Sequence, residues 1–101
     1  MIEVRQTAVF RSWLSTLADR EAVRRIAQRI ARVRNGLFGD VKPVGEGVSE
    51  LRVDYGPGYR IYLVRRGQQV VVLLCGGDKR SQSRDIRTAI AMAAELKGPG
   101  Q

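Results

Sequence analysis

The chain has 101 residues, enough for one domain with a single modest hydrophobic core. Its formal net charge of +8 favours a polyanionic partner such as nucleic acid, although a solvated surface rich in arginine would have the same composition. The absence of histidine and the single cysteine exclude an internal disulfide, the commonest metal ligand and the commonest general base.

Neither a membrane segment nor a cofactor motif is evident along the chain. The longest apolar run, Val70 to Cys75, is far shorter than the roughly 20 residues of a spanning helix. The first five residues lack the charged and apolar regions of a signal peptide. We therefore expect a cytoplasmic protein without membrane, metal or cofactor, in which Cys75 is a small buried hydrophobic residue.

The N-terminal third of the chain predicts one strand and two helices. Residues 2–5 suit a short strand, and Thr7 and Asp19 are residue types that commonly cap helix N-termini. The apolar residues at helical spacing are Phe10, Trp13, Leu14 and Leu17 in the first helix, and Val23, Ile26, Ala27, Ile30 and Val33 in the second. Asn35-Gly36 ends the second helix, and the short link between the helices predicts an antiparallel hairpin.

The polar side of the second predicted helix is a row of arginines. Such a row suits three roles: a track for a phosphate backbone, a docking face for an acidic segment of a partner, or an ordinary solvated surface. Its members are Arg20, Arg24, Arg25, Arg29, Arg32 and Arg34. The sequence alone leaves these three interpretations open.

The rest of the chain predicts three strands and a final helix. A loop over residues 36–47 comes first. The expected strands cover residues 48–54, 59–65 and 69–75. The last of these is apolar at every position from Val70 to Cys75, which predicts a central strand covered on both faces. A polar loop follows, in which Gly76-Gly77 would let the backbone turn sharply. The last helix begins near Ser81 or Ser83, and its inward residues are Ile86, Ala89, Ile90 and Ala93.

This order of elements, βααβββα, predicts an α+β fold. We expect a small, mostly antiparallel, four-stranded sheet with an N-terminal helical hairpin and a C-terminal helix against the sheet edge or its other face. Residues 1–97 would form a single domain, and residues 98–101 would form a short disordered tail.

The most informative segment, Glu50 to Tyr62, reads as two alternating strands joined by a Gly-Pro-Gly turn. If the apolar residues of both strands share one face, Leu51 lies near Ile61 and Arg52 lies directly opposite Arg60. Two guanidinium groups side by side repel each other unless an anion lies between them, and phosphate is the usual one. The segment therefore predicts a phosphate site on a face of the sheet.

Other polar residues are predicted to extend this site into an RNA-binding surface. Lys79 and Arg80 follow the last strand and would reach over the end of the sheet toward Arg60. Tyr55 and Tyr62 offer rings on which bases could stack. Together these groups would form a cationic bowl with aromatic walls.

Two carboxylates near the site suit either a structural or a catalytic role. Asp54 would orient a neighbouring arginine by a salt bridge or act as a base. Asp85 suits the first turn of the last helix, although it lies close enough to the lysine for catalysis. Gln82 and Arg84 are further RNA-binding candidates, whereas Tyr59 falls on the apolar face and is predicted to belong to the core.

Residues 50–62, followed by Leu73-Leu74-Cys75-Gly76-Gly77-Asp78-Lys79, closely resemble the addiction-module killer proteins of the RelE/HigB toxin superfamily, and the HigB-like (Gp49-like) branch is the nearest match. The resemblance extends to about Lys97. It implies a RelE-like fold and a toxin of a type II toxin–antitoxin system that cuts mRNA in the ribosomal A site. It also implies a cognate helix-turn-helix (HigA-like) antitoxin, with mRNA on the ribosome as the target.

The resemblance further assigns roles to the basic residues. Arg60 matches the strand arginine that contacts the scissile phosphate, and Arg52 lies where relatives place a basic group on the preceding strand. Lys79 and Arg80 match the basic residues after the last strand. The family usually closes its site with a tyrosine or histidine near the last helix, where this chain has Asp85-Ile86. The groups that stay open as the general base are Lys79, Asp54 and Asp85.

Two alternatives to an RNA-cutting toxin stay open. ParE-like toxins resemble this fold but inhibit DNA gyrase by binding, and the missing tyrosine or histidine favours that alternative. The other alternative is an inactive, basic RNA-binding module. The clustered Arg52, Arg60 and Lys79 favour the metal-independent nuclease.

Overall fold

The computed structural model describes residues 1–97, and the predicted tail over residues 98–101 lies outside the described residues. The strands are β1 (Glu3–Gln6), β2 (Val41–Gly45), β3 (Val48–Val53), β4 (Tyr59–Arg66) and β5 (Val70–Gly77). The helices are α1 (Ala8–Thr16), α2 (Arg20–Arg34) and α3 (Gln82–Leu96), and a 3₁₀ turn over Lys79–Ser81 precedes α3.

The sheet has five strands rather than four, in the order β1-β5-β4-β3-β2. It is mixed, because β1 runs parallel to β5 while the other neighbours pair antiparallel. The additional strand, β2, lies within the segment 36–47 that the sequence predicts as a loop. Pro43 and Gly45 weaken the strand signal there, and the edge of the sheet tolerates both, with a shift of register between them. The α+β class is confirmed, and the four-stranded sheet is corrected.

The predicted caps define where the first two helices begin. The Thr7 hydroxyl accepts a hydrogen bond from the Phe10 amide (3.0 Å) and donates one to a carbonyl of β5 (2.6 Å). Asp19 Oδ1 accepts hydrogen bonds from the amides of Glu21 (2.9 Å) and Ala22 (3.3 Å). Because these bonds satisfy amides that a helix leaves unpaired, α1 and α2 each begin one residue after the capping side chain.

Both faces of the sheet carry apolar side chains. Helices α1 and α2 cover one face and α3 covers the other, so β5 is covered on both sides as its apolar run predicts. The first core cluster includes Phe10, Ile26, Ile30, Val33, Leu51, Ile61, Leu63 and Leu73. The second contains Val48, Tyr62, Val64, Val72, Leu74, Cys75, Ala89 and Ala93. In α2 the buried stripe follows positions 22, 26, 30 and 33, so Ala22 is buried and the predicted Ala27 is exposed.

Strand β5 continues through Gly76-Gly77 instead of turning there. A Cβ atom on Gly76 would lie 2.4 Å from the Trp13 ring, and one on Gly77 would lie 1.8 Å from Oδ2 of Asp85. The two glycines therefore allow close packing on opposite faces of the strand. The predicted turn is wrong, because glycine permits close approach as well as unusual backbone angles.

We expect Gly76→Ala to lower the free energy of unfolding by about 1–3 kcal/mol or more, the usual cost of overpacking a core. The reason is that the new methyl group would overlap the Trp13 ring. Urea denaturation measures the loss, and the same substitution in a Trp13→Ala background is the control. With the ring removed, the alanine should cost little additional stability; an equal cost in both backgrounds would show that the ring is not the obstacle.

Candidate active site

The β3–β4 hairpin has the register that the sequence predicts. Leu51 pairs with Ile61, and Arg52 pairs with Arg60. Leu51 and Ile61 are buried in the core cluster under α1 and α2, so both arginines project from the opposite face of the sheet. Two cationic residues therefore stand directly across from each other on neighbouring strands.

A cleft of about 370 Å³ opens at this end of the sheet. Its cationic lining residues are Arg52, Arg60 and Lys79, the three residues whose convergence the sequence predicts. Asp40 and Asp54 also line it, together with the turn over residues 56–58. Three cations and two carboxylates line the cleft, so the charged side chains that a ligand could touch are mostly cationic, which favours an anionic ligand.

Arg60 is held from two sides and is only 8% exposed. Its Nη1 donates a hydrogen bond to the Gly58 carbonyl (2.8 Å), and its Nε lies 3.7 Å from Oε2 of Glu50. Gly58 has a φ of +83°, and a Cβ atom there would lie 3.1 Å from Nη1 of Arg60. Glycine therefore provides both the turn and the space for the guanidinium. Arg60 is a preorganised cation rather than a mobile surface side chain.

Glu50 is a buried carboxylate that the sequence motif contains but that the predicted site omits. Its Oε2 accepts hydrogen bonds from the Tyr62 hydroxyl (3.0 Å) and from Nε2 of Gln82 (2.8 Å), and the residue is fully buried. The alternation of the strand could have indicated that Glu50 belongs to the site. Glu50 shares a face with Arg52, two residues on, and pairs directly with Tyr62.

Neither tyrosine predicted for base stacking lines the cleft. Tyr62 is fully buried in the core under α3, where burial, and then its hydrogen bond to Glu50, raises the pKa of the phenol. The Tyr55 hydroxyl donates to Oδ2 of Asp19 (2.9 Å), and the Arg25 guanidinium lies 4.6 Å from the Tyr55 ring centre. Both stacking predictions are corrected, because Tyr62 is sealed in the core and the partly buried Tyr55 is bonded to α2 and its capping residue, away from the cleft. Tyr62 supports Glu50, and Tyr55 packs against α2.

The carboxylate partners of the two strand arginines differ from the predicted one. Oδ1 of Asp40 lies 3.5 Å from Nη2 of Arg52, and Glu50 lies beside Arg60. Asp54 lines the cleft, but the ion pairs found for these arginines within residues 1–97 go to Asp40 and Glu50 instead. The Asp54 carboxylate is therefore placed at the cleft without the predicted orienting role.

Arg29 turns inward from the row of arginines on α2. Its guanidinium donates hydrogen bonds to the carbonyls of Phe38 (3.0 Å), Asp40 (3.5 Å) and Arg52. It therefore connects α2 to the segment before β2 and to the cleft end of β3. The prediction that places Arg29 with the other arginines on the outer side of the helix is wrong, because its guanidinium bonds these three backbone carbonyls instead.

The other arginines of α2 remain on its surface. Arg24 and Arg25 form ion pairs with Glu21 (2.6 and 3.0 Å). These hydrogen bonds, from Arg24 first and then Arg25, lower the pKa of the Glu21 carboxyl to about 2. The residues of the row that are exposed are Arg20, Arg24, Arg25, Arg32 and Arg34.

The segment after β5 divides its basic residues between two surfaces. Oδ1 of Asp78 accepts hydrogen bonds from the amides of Arg80 (2.9 Å) and Ser81 (3.3 Å), and this cap fixes the 3₁₀ turn that places Lys79 at the cleft. The Arg80 side chain is 88% exposed and lines a separate shallow groove with Arg84. The predicted approach of Lys79 and Arg80 to the strand arginines therefore holds for Lys79 and not for Arg80.

The start of α3 carries the remaining predicted site residues. Gln82 donates its hydrogen bond to Glu50, beneath the cleft. Arg84 is exposed, with its Nε 3.8 Å from Oδ1 of Asp85. Asp85 accepts a hydrogen bond from the Ser81 hydroxyl, and its side chain is 13% exposed. Asp85 therefore stabilises the first turn of α3 and does not line the cleft.

Cys75 is buried under α3, as the sequence predicts. Burial raises the pKa of its thiol from 9 to about 11. Between these values the unfolded chain loses the thiol proton while the folded chain keeps it, so the stability contributed by this group falls as the pH rises. We expect stability to urea to decline less steeply between pH 9 and pH 11 in Cys75→Ala than in the wild type. If stability falls equally steeply with pH in both proteins, the Cys75 thiol does not titrate in the expected way.

Among residues 1–97, no group of three or more side chains could hold a metal ion. Within the same range, no helix combines the length and the apolar character that a bilayer crossing requires.

Fold and cleft together define a small basic α+β protein with a cleft lined by three cationic side chains at one end of its sheet. The chain belongs to the family described as "Phage derived protein Gp49-like (DUF891)", whose family model matches residues 12–97. This family is part of the superfamily of toxin–antitoxin toxins, which implies an antitoxin as partner. A Haemophilus influenzae relative that carries the name "Uncharacterized protein" is 47% identical over 95 residues, or 94% of this chain and 96% of the relative. The predicted toxin superfamily is confirmed.

Proposed function

We propose that this protein is a ribosome-dependent mRNA endonuclease of the HigB-like kind, inhibited in the cytoplasm by a helix-turn-helix (HigA-like) antitoxin. The observation that supports this most strongly is the convergence of Arg52, Arg60 and Lys79 in one cleft. Two arginines on adjacent strands favour an anion between them, and an RNA phosphodiester is such an anion. Cleavage of mRNA would stop translation and so account for a toxin.

The proposed reaction uses the substrate's own 2′-hydroxyl as the nucleophile. Its oxygen attacks the adjacent phosphorus, and the bond between phosphorus and the 5′ oxygen breaks. The products are a 2′,3′-cyclic phosphate and a 5′-hydroxyl. Arg60 donates hydrogen bonds to the non-bridging oxygens as negative charge grows on them, and one preorganised donor of this kind is worth about 10²–10³ in rate. Arg52 offsets the same charge from the neighbouring strand.

The geometry favours Asp54 and Lys79 over Asp85 for the proton transfers. Asp54 and Lys79 line the cleft, whereas Asp85 is bonded to Ser81 outside it. Asp54 takes the proton from the 2′-hydroxyl, and Lys79 gives one to the departing 5′ oxygen. The ribosome holds the mRNA in line for attack, which adds rate without requiring another residue of this chain.

Primer extension on cellular mRNA after brief induction tests this function. We expect discrete cuts within codons of translated messages, and we expect the antitoxin to suppress them when it is co-expressed. Intact messages with a DNA-damage response would indicate a gyrase inhibitor instead. Intact messages with normal growth would indicate an inactive RNA-binding module.

A further inference from the structure

Glu50 lies beneath the cleft as a fully buried carboxylate. A buried charge is costly unless an opposite charge and hydrogen bonds compensate for it. The groups that surround it are Arg60, Tyr62 and Gln82. Of Glu50 and these three neighbours, Arg60 is the one to which the proposed reaction gives a role. That reaction therefore does not explain why a carboxylate is buried at position 50.

The contact between Glu50 and Arg60 is close but incomplete. Their nearest atoms, Oε2 and Nε, are 3.7 Å apart, which is longer than an N–H···O hydrogen bond. Within residues 1–97, Oε1 of Glu50 and Nε of Arg60 are both buried without a hydrogen-bond partner. Nε of Arg52, across the hairpin, is buried without a partner in the same way. Glu50 and Arg60 form an ion pair with each other, so each leaves a polar atom unbonded beside its own counter-ion.

This arrangement determines which edge of Arg60 meets a ligand. Its Nε is turned toward Glu50, and its Nη1 donates to the Gly58 carbonyl (2.8 Å). The hydrogens of Nη2 and the second hydrogen of Nη1 are therefore the ones that can reach an anion in the cleft. The negative charge of Glu50 also offsets the repulsion between Arg60 and Arg52, which face each other across the hairpin.

Glu50 also connects the two halves of the cleft. Gln82, which donates to its Oε2, is the first residue of α3 and directly follows the 3₁₀ turn that carries Lys79. Tyr62, on β4, donates to the same oxygen. One carboxylate oxygen therefore joins β3, β4 and the start of α3 at the point where their cationic residues converge.

We propose that Glu50 is a positioning residue, which presents Arg60 to the phosphate and keeps the lysine-bearing turn aligned with the two strand arginines. It touches no substrate atom and acts through Arg60 and Gln82. The inference rests on the proposed nuclease function for the identity of the phosphate. The orientation of Arg60 by Glu50 can be measured without that function.

The test compares Glu50→Gln, which removes the charge and keeps the shape, with Glu95→Gln. Glu95 is exposed near the C-terminal end of α3, so its variant makes the same charge change elsewhere. One readout is single-turnover cleavage of mRNA on programmed ribosomes, and the other is solvent exchange of the Arg60 Nε–H signal in ¹⁵N NMR. We expect Glu50→Gln to cut about 10²-fold more slowly with KM unchanged, because a displaced catalytic group costs that much. The Arg60 proton should also exchange faster, and Glu95→Gln should match the wild type in both readouts.

A folded Glu50→Gln protein that keeps the wild-type value of either readout, while the wild type cuts RNA, would overturn the proposal. A wild type that cuts no RNA would overturn the nuclease function instead, and faster Arg60 exchange in Glu50→Gln would then still support positioning. If Glu50→Gln does not fold, Gln82→Ala removes one donor to the same oxygen and should produce both effects to a smaller degree. No change in either readout of Gln82→Ala would then overturn the proposal.

Discussion

Replacing Arg60 with alanine should abolish toxicity and slow mRNA cleavage by about 10²–10³-fold, the usual effect of removing one preorganised donor from a developing negative charge. The effect is large because of where the side chain lies. Arg60 is nearly buried, is fixed by Gly58 and Glu50, and faces Arg52 across the hairpin. Growth after induction and primer extension on the same cells measure the two consequences together.

Further variants separate lost chemistry from lost folding. Arg60→Ala leaves the Glu50 carboxylate buried without its counter-ion, which costs about 3–5 kcal/mol, so circular dichroism must show that the variant is folded. Arg60→Lys keeps the charge without the planar fork and should cut at an intermediate rate. Arg87→Ala removes an exposed arginine of α3 and should behave as the wild type. Undiminished cleavage by folded Arg60→Ala would eliminate Arg60 from the site.

Lys79→Ala should lower kcat by about 10²-fold or more, the contribution of a positioned general acid. Its neighbour Arg80 is the matched control, because Arg80→Ala removes the same charge one residue away. Lys79 lines the cleft, whereas the Arg80 side chain is 88% exposed in the neighbouring groove. We therefore expect Arg80→Ala to raise KM in a salt-dependent manner and to leave kcat intact, as an exposed phosphate contact would. Steady-state kinetics on programmed ribosomes measure both constants.

A second substitution at position 79 separates the charge of the lysine from its ability to donate a proton. Lys79→Arg keeps the positive charge but holds its proton too tightly to act as an acid, so binding should recover while kcat stays low. If Lys79→Ala and Arg80→Ala lower kcat equally, the location of Lys79 in the cleft does not matter for the reaction. In that case the assignment of Lys79 as the acid would have to be abandoned.

The hairpin at the centre of the site could be predicted from the sequence because its determinants are local. Period-two alternation around a Gly-Pro-Gly turn fixes the register that buries Leu51 and Ile61 on one face. The opposition of Arg52 and Arg60 follows from that register, and so does the expectation of an anion between them. No long-range contact had to be known for this part of the site.

Strand β2 and the role of Gly76-Gly77 could not be predicted in the same way. A segment that contains Pro43 and Gly45 has little strand propensity of its own, and it becomes a strand because β3 offers it a partner. The two glycines permit either a turn or close packing. The packing partners decide which of the two occurs. Trp13, which packs on Gly76, is distant in the sequence, and Asp85, which packs on Gly77, lies in the next helix.

Which polar side chains reach the cleft depends on how α3 lies across the sheet. Tyr62 and Arg60 share one alternating face, but α3 buries Tyr62 completely and leaves Arg60 at the cleft. Alternation alone therefore predicted stacking for a ring that is sealed in the core. The counter-ions Glu50 and Asp40 also depend on tertiary contacts with helices. Gln82 of α3 donates to Glu50, and Arg29 of α2 donates to the backbone carbonyl of Asp40.

The proposed binding of the scissile phosphate is tested most directly by a structure of the protein on the ribosome. The mRNA in that complex would carry a 2′-O-methyl group at the cleavage position. The methyl group blocks attack, so the intact phosphodiester should lie in the cleft, hydrogen-bonded to Arg60 and flanked by Arg52 and Lys79. A scissile phosphate bound to another surface of the protein, or an A site that the protein does not enter, would contradict it.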